Sequence, residues 1–273
     1  MSMSLPPGHH ESHGPSRRTL LKGIGAGAGL AVGGTMLIPG TAQAHNTVPQ
    51  YTIWGEPTYY QGTRTSFHYN AGFHTQLANW LSFYFSRTPI TWQWPLQLHL
   101  LGVHVDKPGM HQYGRAIDFE RIVFTNGTTG GRFNGFDCRY NEWKSKTGSA
   151  LEVVRREYWA GVAGLNYHFK YVLHYLYNSE HHNHVHVDNE ASGSGLSTFT
   201  TGTTSQVKFV QAALNYIWKI PTGIDGVWGP ETDGNSAKVL QRVNYGGKLT
   251  TSQNHWLTFC RVSLLQGSTA TTW

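Results

Sequence analysis

The chain has 273 residues and a formal net charge of +6, and only 13% of its residues are charged, against about 25% in an average soluble protein. Its 39% hydrophobic content and ten tryptophans exclude a charge-rich disordered chain, and its two cysteines exclude a disulfide-stapled miniprotein. Lysines and arginines are scattered, so no nucleic-acid partner is expected. A mildly basic, aromatic, glycine-rich chain suits an anionic or sugar-rich polymer better.

In chain order, Ser16-Arg17-Arg18-Thr19-Leu20-Leu21-Lys22 precedes a Gly/Ala/Leu stretch that runs to about Ile38. Ala42-Gln43-Ala44 then places small residues where a signal peptidase reads. Residues 1–44 are therefore expected to be a twin-arginine export signal. The apolar stretch is too short and glycine-rich to span a bilayer, so no membrane association is expected after cleavage. Gly23 to Gly29 miss the spacing of a dinucleotide loop and follow no strand. His9, His10 and His13 belong to the same discarded segment. The mature chain is expected to be secreted. There Cys138 and Cys260 either oxidise together or stay as buried thiols, and the sequence leaves both open.

Residues 45–190 are rich in aromatics and histidine and read as one domain. Small polar residues dominate 191–204, which reads as a flexible linker, and 205–265 reads as a second, helical domain. Within the first domain, Gln97–Leu100 and Val103–Asp106 alternate like strands, with His99 and His104 as polar residues on a sheet face. Leu151, Val154, Tyr158 and Val162 recur at helical spacing, Tyr171–Leu176 reads as a buried strand, and His184–Asp188 alternates strictly. Helices and neighbouring strands without a βαβ rhythm predict an α+β fold: a small, mostly antiparallel sheet with flanking helices, followed by three small helices.

Two patches carry chemistry: Met110-His111-Gln112-Tyr113-Gly114-Arg115-Ala116-Ile117-Asp118 and Glu180-His181-His182-Asn183-His184-Val185-His186-Val187-Asp188. Alternate side chains of a strand share a face, so His184 and His186 point one way and Val185 and Val187 the other. Two imidazoles on one face of an apolar strand need a partner, and a divalent metal supplies one. Imidazoles with one carboxylate suit zinc. Asp118 can provide the carboxylate, since Gly114 and Ala116 keep the turn after His111 thin. Two histidines and one aspartate leave the fourth position of zinc open, as catalytic sites do. Asp188 reads as a strand-end residue that supports a ligand.

The spacing His-x-x-Gly-x-Ala-x-Asp, followed by His-x-x-His-x-His-x-Asp, resembles the zinc peptidases of the D-alanyl-D-alanine carboxypeptidase and murein endopeptidase superfamily, including extensin-like bacterial proteins. The resemblance covers these two motifs and their order, and Met110 stands where the family usually has serine. It implies a zinc ion held by His111, Asp118 and His186. His184 would be a catalytic helper beside the metal, and Glu180 or His181 the base. It also implies an arginine that holds substrate carboxylate, for which Arg64 and Arg87 are the candidates.

In the second domain Val207, Val210, Leu214 and Ile217 recur at helical spacing, Asp225-Gly226-Val227-Trp228-Gly229 supplies a turn, and Ala237, Leu240 and Val243 form the next stripe. Roughly 205–245 resembles the three-helix peptidoglycan-binding domain of bacterial wall hydrolases. Trp228 is expected in its core and Tyr216 or Tyr245 as an exposed sugar platform. The combination implies a secreted zinc peptidase that cuts peptidoglycan stem peptides or cross-links. The alternatives are a wall-binding protein with a structural, non-catalytic zinc, and an extensin-like enzyme acting on another extracellular polypeptide.

Overall fold

Where β-branched and aromatic residues alternate with polar ones the chain forms strands, and where apolar residues recur every three or four positions it forms helices. The computed structural model describes residues 47–105, 108–269 and 273. The expected export signal lies outside the described residues, as does Asp106; Val103, His104 and Val105, expected as a strand, follow the end of one and belong to none. The strands are β1 (Thr47–Gln50), β2 (Thr52–Ile53), β3 (Glu56–Tyr60), β4 (Thr63–Arg64), β5 (Phe67–Asn70), β6 (Trp92–Gly102), β7 (Ala116–Asn126), β8 (Arg132–Asp137), β9 (Tyr171–Leu173) and β10 (Val185–Asp188). The helices are α1 (Ala71–Phe85), α2 (Tyr140–Trp143), α3 (Gly148–His168), α4 (Thr204–Tyr216), α5 (Pro230–Arg242) and α6 (Gln253–Gly267). The fold is α+β, as the sequence predicts.

The main sheet runs β2-β3-β6-β7-β10-β9, with β4 added to β3 and β8 to β7, while β1 and β5 pair separately. Every pairing is antiparallel except β3 with β6. The central β7 buries Ile117, Phe119, Ile122 and Phe124 on the core side. Its neighbour β10 adds Val185 and Val187 to the same layer. Helix α1 begins at Asn70, whose Oδ1 accepts from the backbone N–H groups of Gly72 and Phe73 at 3.1 and 3.2 Å, satisfying two of the donors a helix start leaves open.

Helix α3 is the pivot of the packing. Its second half, Tyr158 to Asn166, is buried at every residue, as expected of a helix covered on all sides. Small residues make the close approaches. A Cβ on Gly161 would lie 2.3 Å from the Phe136 ring of β8, and one on Gly267 of α6 would lie 2.8 Å from Ala160.

The three expected C-terminal helices are present, but they do not stand apart from the sheet. Residues 43–273 form one compact unit, and Phe209, Leu214, Trp256, Phe259 and Leu264 belong to the same buried cluster as Trp80, Phe119 and Trp159. The segment 191–204, expected as a flexible linker, is held at several points. The Ser197 hydroxyl donates to the Asn166 carbonyl and accepts from Trp256 Nε1. The Ser197 N–H donates to the Tyr167 carbonyl at 3.2 Å, and Gln206 bonds the backbone of Thr198 and Thr200. Ser197 serves as a compact hydrogen-bonding group between packed layers, a use that composition alone does not separate from a solvated tether.

Cys138 and Cys260 are both buried and free, so of the two open possibilities the structure has the thiols. No helix among the described residues is long and apolar enough to cross a membrane.

Candidate metal centre

Each candidate ligand is delivered by a different local device. His111 sits in a 3₁₀ turn at Met110–Tyr113 that Gly114 closes in the left-handed region at φ +61°. A Cβ there would meet Asn70 N at 2.9 Å and His68 O at 3.1 Å, so this turn docks on the β5–α1 junction only with glycine. The Asn70 N–H bonds the Gly114 carbonyl at 2.9 Å and ties the two together. Asp118 follows on β7, and His186 is its direct cross-strand partner on β10. Partners in an antiparallel ladder share a face, so the register itself brings carboxylate and imidazole together on the side opposite Val185 and Val187.

The three donor atoms converge. His186 Nδ1 lies 2.9 Å from Asp118 Oδ1, His111 Nε2 lies 3.3 Å from the same oxygen, and the two ring nitrogens are 3.2 Å apart. Ligands arranged tetrahedrally around zinc at about 2.0–2.1 Å stand roughly 3.3 Å from one another. The far nitrogens fix the tautomers: His111 Nδ1 donates to the Val103 carbonyl at 2.6 Å, and His186 Nε2 donates to Asp188 Oδ2 at 3.0 Å. Two imidazole lone pairs and a carboxylate oxygen therefore aim at one point. This arrangement is repulsive unless a cation sits there, and the donor set fits zinc.

Electrostatics report the same focus. Burial alone would raise the Asp118 carboxyl, but hydrogen bonds from His111 and His186 and the nearby His184 outweigh it and hold it well below the ordinary carboxylate range. Burial would lower the His186 imidazole, yet its bonds to Asp118 and Asp188 raise it to about 9. The site attracts positive charge in either form, a proton on His186 or a metal in its place. Asp188 also accepts from the Glu190 N–H through its other oxygen at 2.9 Å. Asp188→Asn is expected to leave the fold intact and weaken zinc binding about 10- to 100-fold, read by competition with a chromogenic chelator.

The site opens into a cleft of about 760 Å³ lined by His111, Asp118, His184 and His186 together with Glu180, His181, Tyr171, Tyr177 and Glu190. His184 Nε2 stands 3.7 Å from Asp118 Oδ1, further off than either other histidine, and its Nδ1 bonds Asn183 Oδ1 at 2.8 Å. His181 packs beside His184 with ring centroids 5.0 Å apart. Its Nδ1 donates to Asn178 Oδ1 at 2.5 Å, leaving Nε2 as the acceptor. Burial, then His184 and His186, press the His181 imidazole down to about 4, so it is neutral near pH 7. All six predicted site residues thus lie on one cleft.

Other expectations fall elsewhere. Arg64 is exposed on β4, and Arg87 bonds the Phe83 carbonyl and Ser86 at the end of α1; neither lines the cleft. The first motif holds a different arginine. Arg115 is buried, and its guanidinium donates to the carbonyls of Glu190 and Gly193 and to Asn70 Oδ1 at 2.7–3.0 Å. It clamps the segment after β10 onto the β7 entrance, and its place between His111 and Asp118 was the signal available in the sequence. His99 stacks on Tyr59 away from the cleft, as a sheet-face residue should. Tyr245 is exposed, but Tyr216 is not a free platform: the Arg155 guanidinium lies 4.6 Å over its half-buried ring. Trp228 is half-buried against Phe199.

No protein-family model matches the chain, and no match was found among curated proteins or solved structures.

Proposed function

We propose that the chain is a secreted zinc-dependent peptidase that hydrolyses peptide bonds in the stem peptides or cross-links of bacterial peptidoglycan. The observation that carries this reading is the convergence of His111, Asp118 and His186 on the floor of an open cleft, with His184, His181 and Glu180 beside them. A structural zinc is closed off by four protein ligands, whereas three ligands facing a cleft suit catalysis. Held there, zinc would supply Lewis acidity toward the scissile carbonyl and toward water.

The remaining work falls to the chain's own groups. The neutral His181 Nε2, or the Glu180 carboxylate, takes the proton from the attacking water and passes it to the leaving amine. Asn178 holds His181 in the tautomer this requires. His184, with Nδ1 directed to Asn183, presents Nε2 to the cleft and, when protonated, stabilises the oxyanion that develops on the carbonyl. Val103 and Asp188 keep the two ligand imidazoles from rotating.

Wall association is assigned to the C-terminal helical region, whose connections present Val227 and Tyr245 to solvent. The test is mass spectrometry of purified wall incubated with the full chain. D-alanine or stem-peptide fragments are expected, with their release stopped by a chelator and restored by zinc. Wall that stays intact under all three conditions overturns the reading.

A further inference from the structure

Four carboxylates line the cleft, Asp118, Glu180, Asp188 and Glu190, and among its described lining residues there is no lysine or arginine. Asp118 and Asp188 are engaged by the histidines. Glu190 is set up differently. It is one of the few non-glycine residues with positive φ, at +58°, a conformation a long side chain adopts at a cost. Its backbone is fixed from both sides, the N–H on Asp188 Oδ1 and the carbonyl under Arg115 Nε. Its carboxylate stands about half-exposed at the edge of the metal cleft. Oε1 accepts from the Tyr171 hydroxyl and from Lys170 Nζ, each at 2.8 Å, and Oε2 has no hydrogen-bond partner among the described residues.

We propose that Glu190, with the Tyr171 hydroxyl, determines specificity by receiving a side-chain ammonium group of the substrate peptide, and that Lys170 fills this position when substrate is absent. The proposal rests on the reading of the cleft as a peptide-cleaving site and names the substrate class it prefers. A carboxylate only accepts hydrogen bonds, so Glu190 attracts a donor cation such as an ammonium. The bond between Lys170 Nζ and Glu190 shows that the carboxylate accepts an ammonium in this geometry. Lys170 is itself half-exposed, so it can be displaced.

The test uses two probes: a pentapeptide ending in D-alanyl-D-alanine with a lysine at its third position, and the same peptide acetylated on that amine. Binding to the metal-stripped full chain is read by calorimetry, and hydrolysis by the zinc-loaded chain is followed separately. The native chain is expected to bind the free-amine peptide about fivefold more tightly, less so at high salt. Glu190→Gln should bind both peptides equally. Lys170→Met should widen the preference, because the internal competitor is gone. Equal binding by the native chain, or a preference that survives Glu190→Gln, overturns the proposal, as does the absence of binding to either probe. A preference without any zinc-dependent cleavage would sink the peptidase reading and leave the ammonium site standing. Cleavage without a preference would do the reverse.

Discussion

Replacing His186 with alanine is expected to strip the chain of zinc, while replacing His184 leaves one zinc per chain and removes turnover. The two residues are two positions apart, His184 just before β10 and His186 within it, so the difference must come from geometry. His186 Nδ1 is within 2.9 Å of Asp118 and 3.2 Å of His111. Without it two protein donors remain, fewer than the three a catalytic zinc site keeps. Loss of a supporting residue alone weakens a metal site about 10- to 100-fold, so loss of a ligand is expected to exceed that. His184 Nε2 lies 3.7 Å from Asp118 Oδ1, beside the three-donor group but outside it. If it stabilises the oxyanion, its removal costs about 10²- to 10³-fold in kcat with little change in metal content. Metal content by mass spectrometry and initial rates on stem peptide separate the two outcomes, with near-UV circular dichroism as the check that both variants fold. Equal loss of zinc from both would mean that the ligand assignment is wrong.

The geometry of the candidate site was legible in part because its elements are local and periodic. Strict alternation around His186 placed His184 and His186 on one face and the valines on the other, and the short spacing from His111 to Asp118 required a tight turn. The pairing of Asp118 with His186 was not readable, since register is a property of two strands and only one had been recognised. Strand β7 escaped because its alternation breaks at Glu120, the extra residue where His99 and Leu100 of β6 face Arg121 and Phe119. Helix α1 escaped for another reason. Phe73, Leu77, Trp80, Leu81 and Tyr84 repeat at helical spacing behind an Asn70 cap, but additional aromatics such as Phe83 blur the stripe. The signal was present and the competing apolar residues hid it. The segment 191–204 shows the opposite failure: its composition announces flexibility, yet Ser197 is buried and bonded to Asn166 and Trp256.

That last point has a mechanical consequence: a chain ending at Thr203 is expected not to fold, although it contains every residue of the cleft. Helix α3 is covered from two directions, by the sheet through Phe136 and by the C-terminal helices through the Gly267–Ala160 approach and the 3.0 Å bond from Arg156 Nε to the Gly267 carbonyl. Cutting away α4, α5 and α6 exposes Trp159, which lies beside Tyr216, and leaves His174 Nε2 without the Ser205 carbonyl it bonds at 2.9 Å inside the core. It also removes Trp256 from Ser197. Exposing one large apolar side chain costs about 1.5–3 kcal/mol, and an unsatisfied buried polar group about 1–3 kcal/mol. A few such losses approach the 5–15 kcal/mol that holds a typical domain together. The full chain should therefore lose secondary and tertiary signals together in a single urea transition, and the shortened chain should lack the near-UV signal and bind zinc no better than an unfolded peptide. Two separated transitions, or a shortened chain that holds zinc tightly, would show that the helices are an independent module after all. If the transition is single, the cleft and the helices assigned to the wall move as one body. Substrate would then be presented to His111, Asp118 and His186 by a fixed geometry, and not across the flexible linker expected at 191–204.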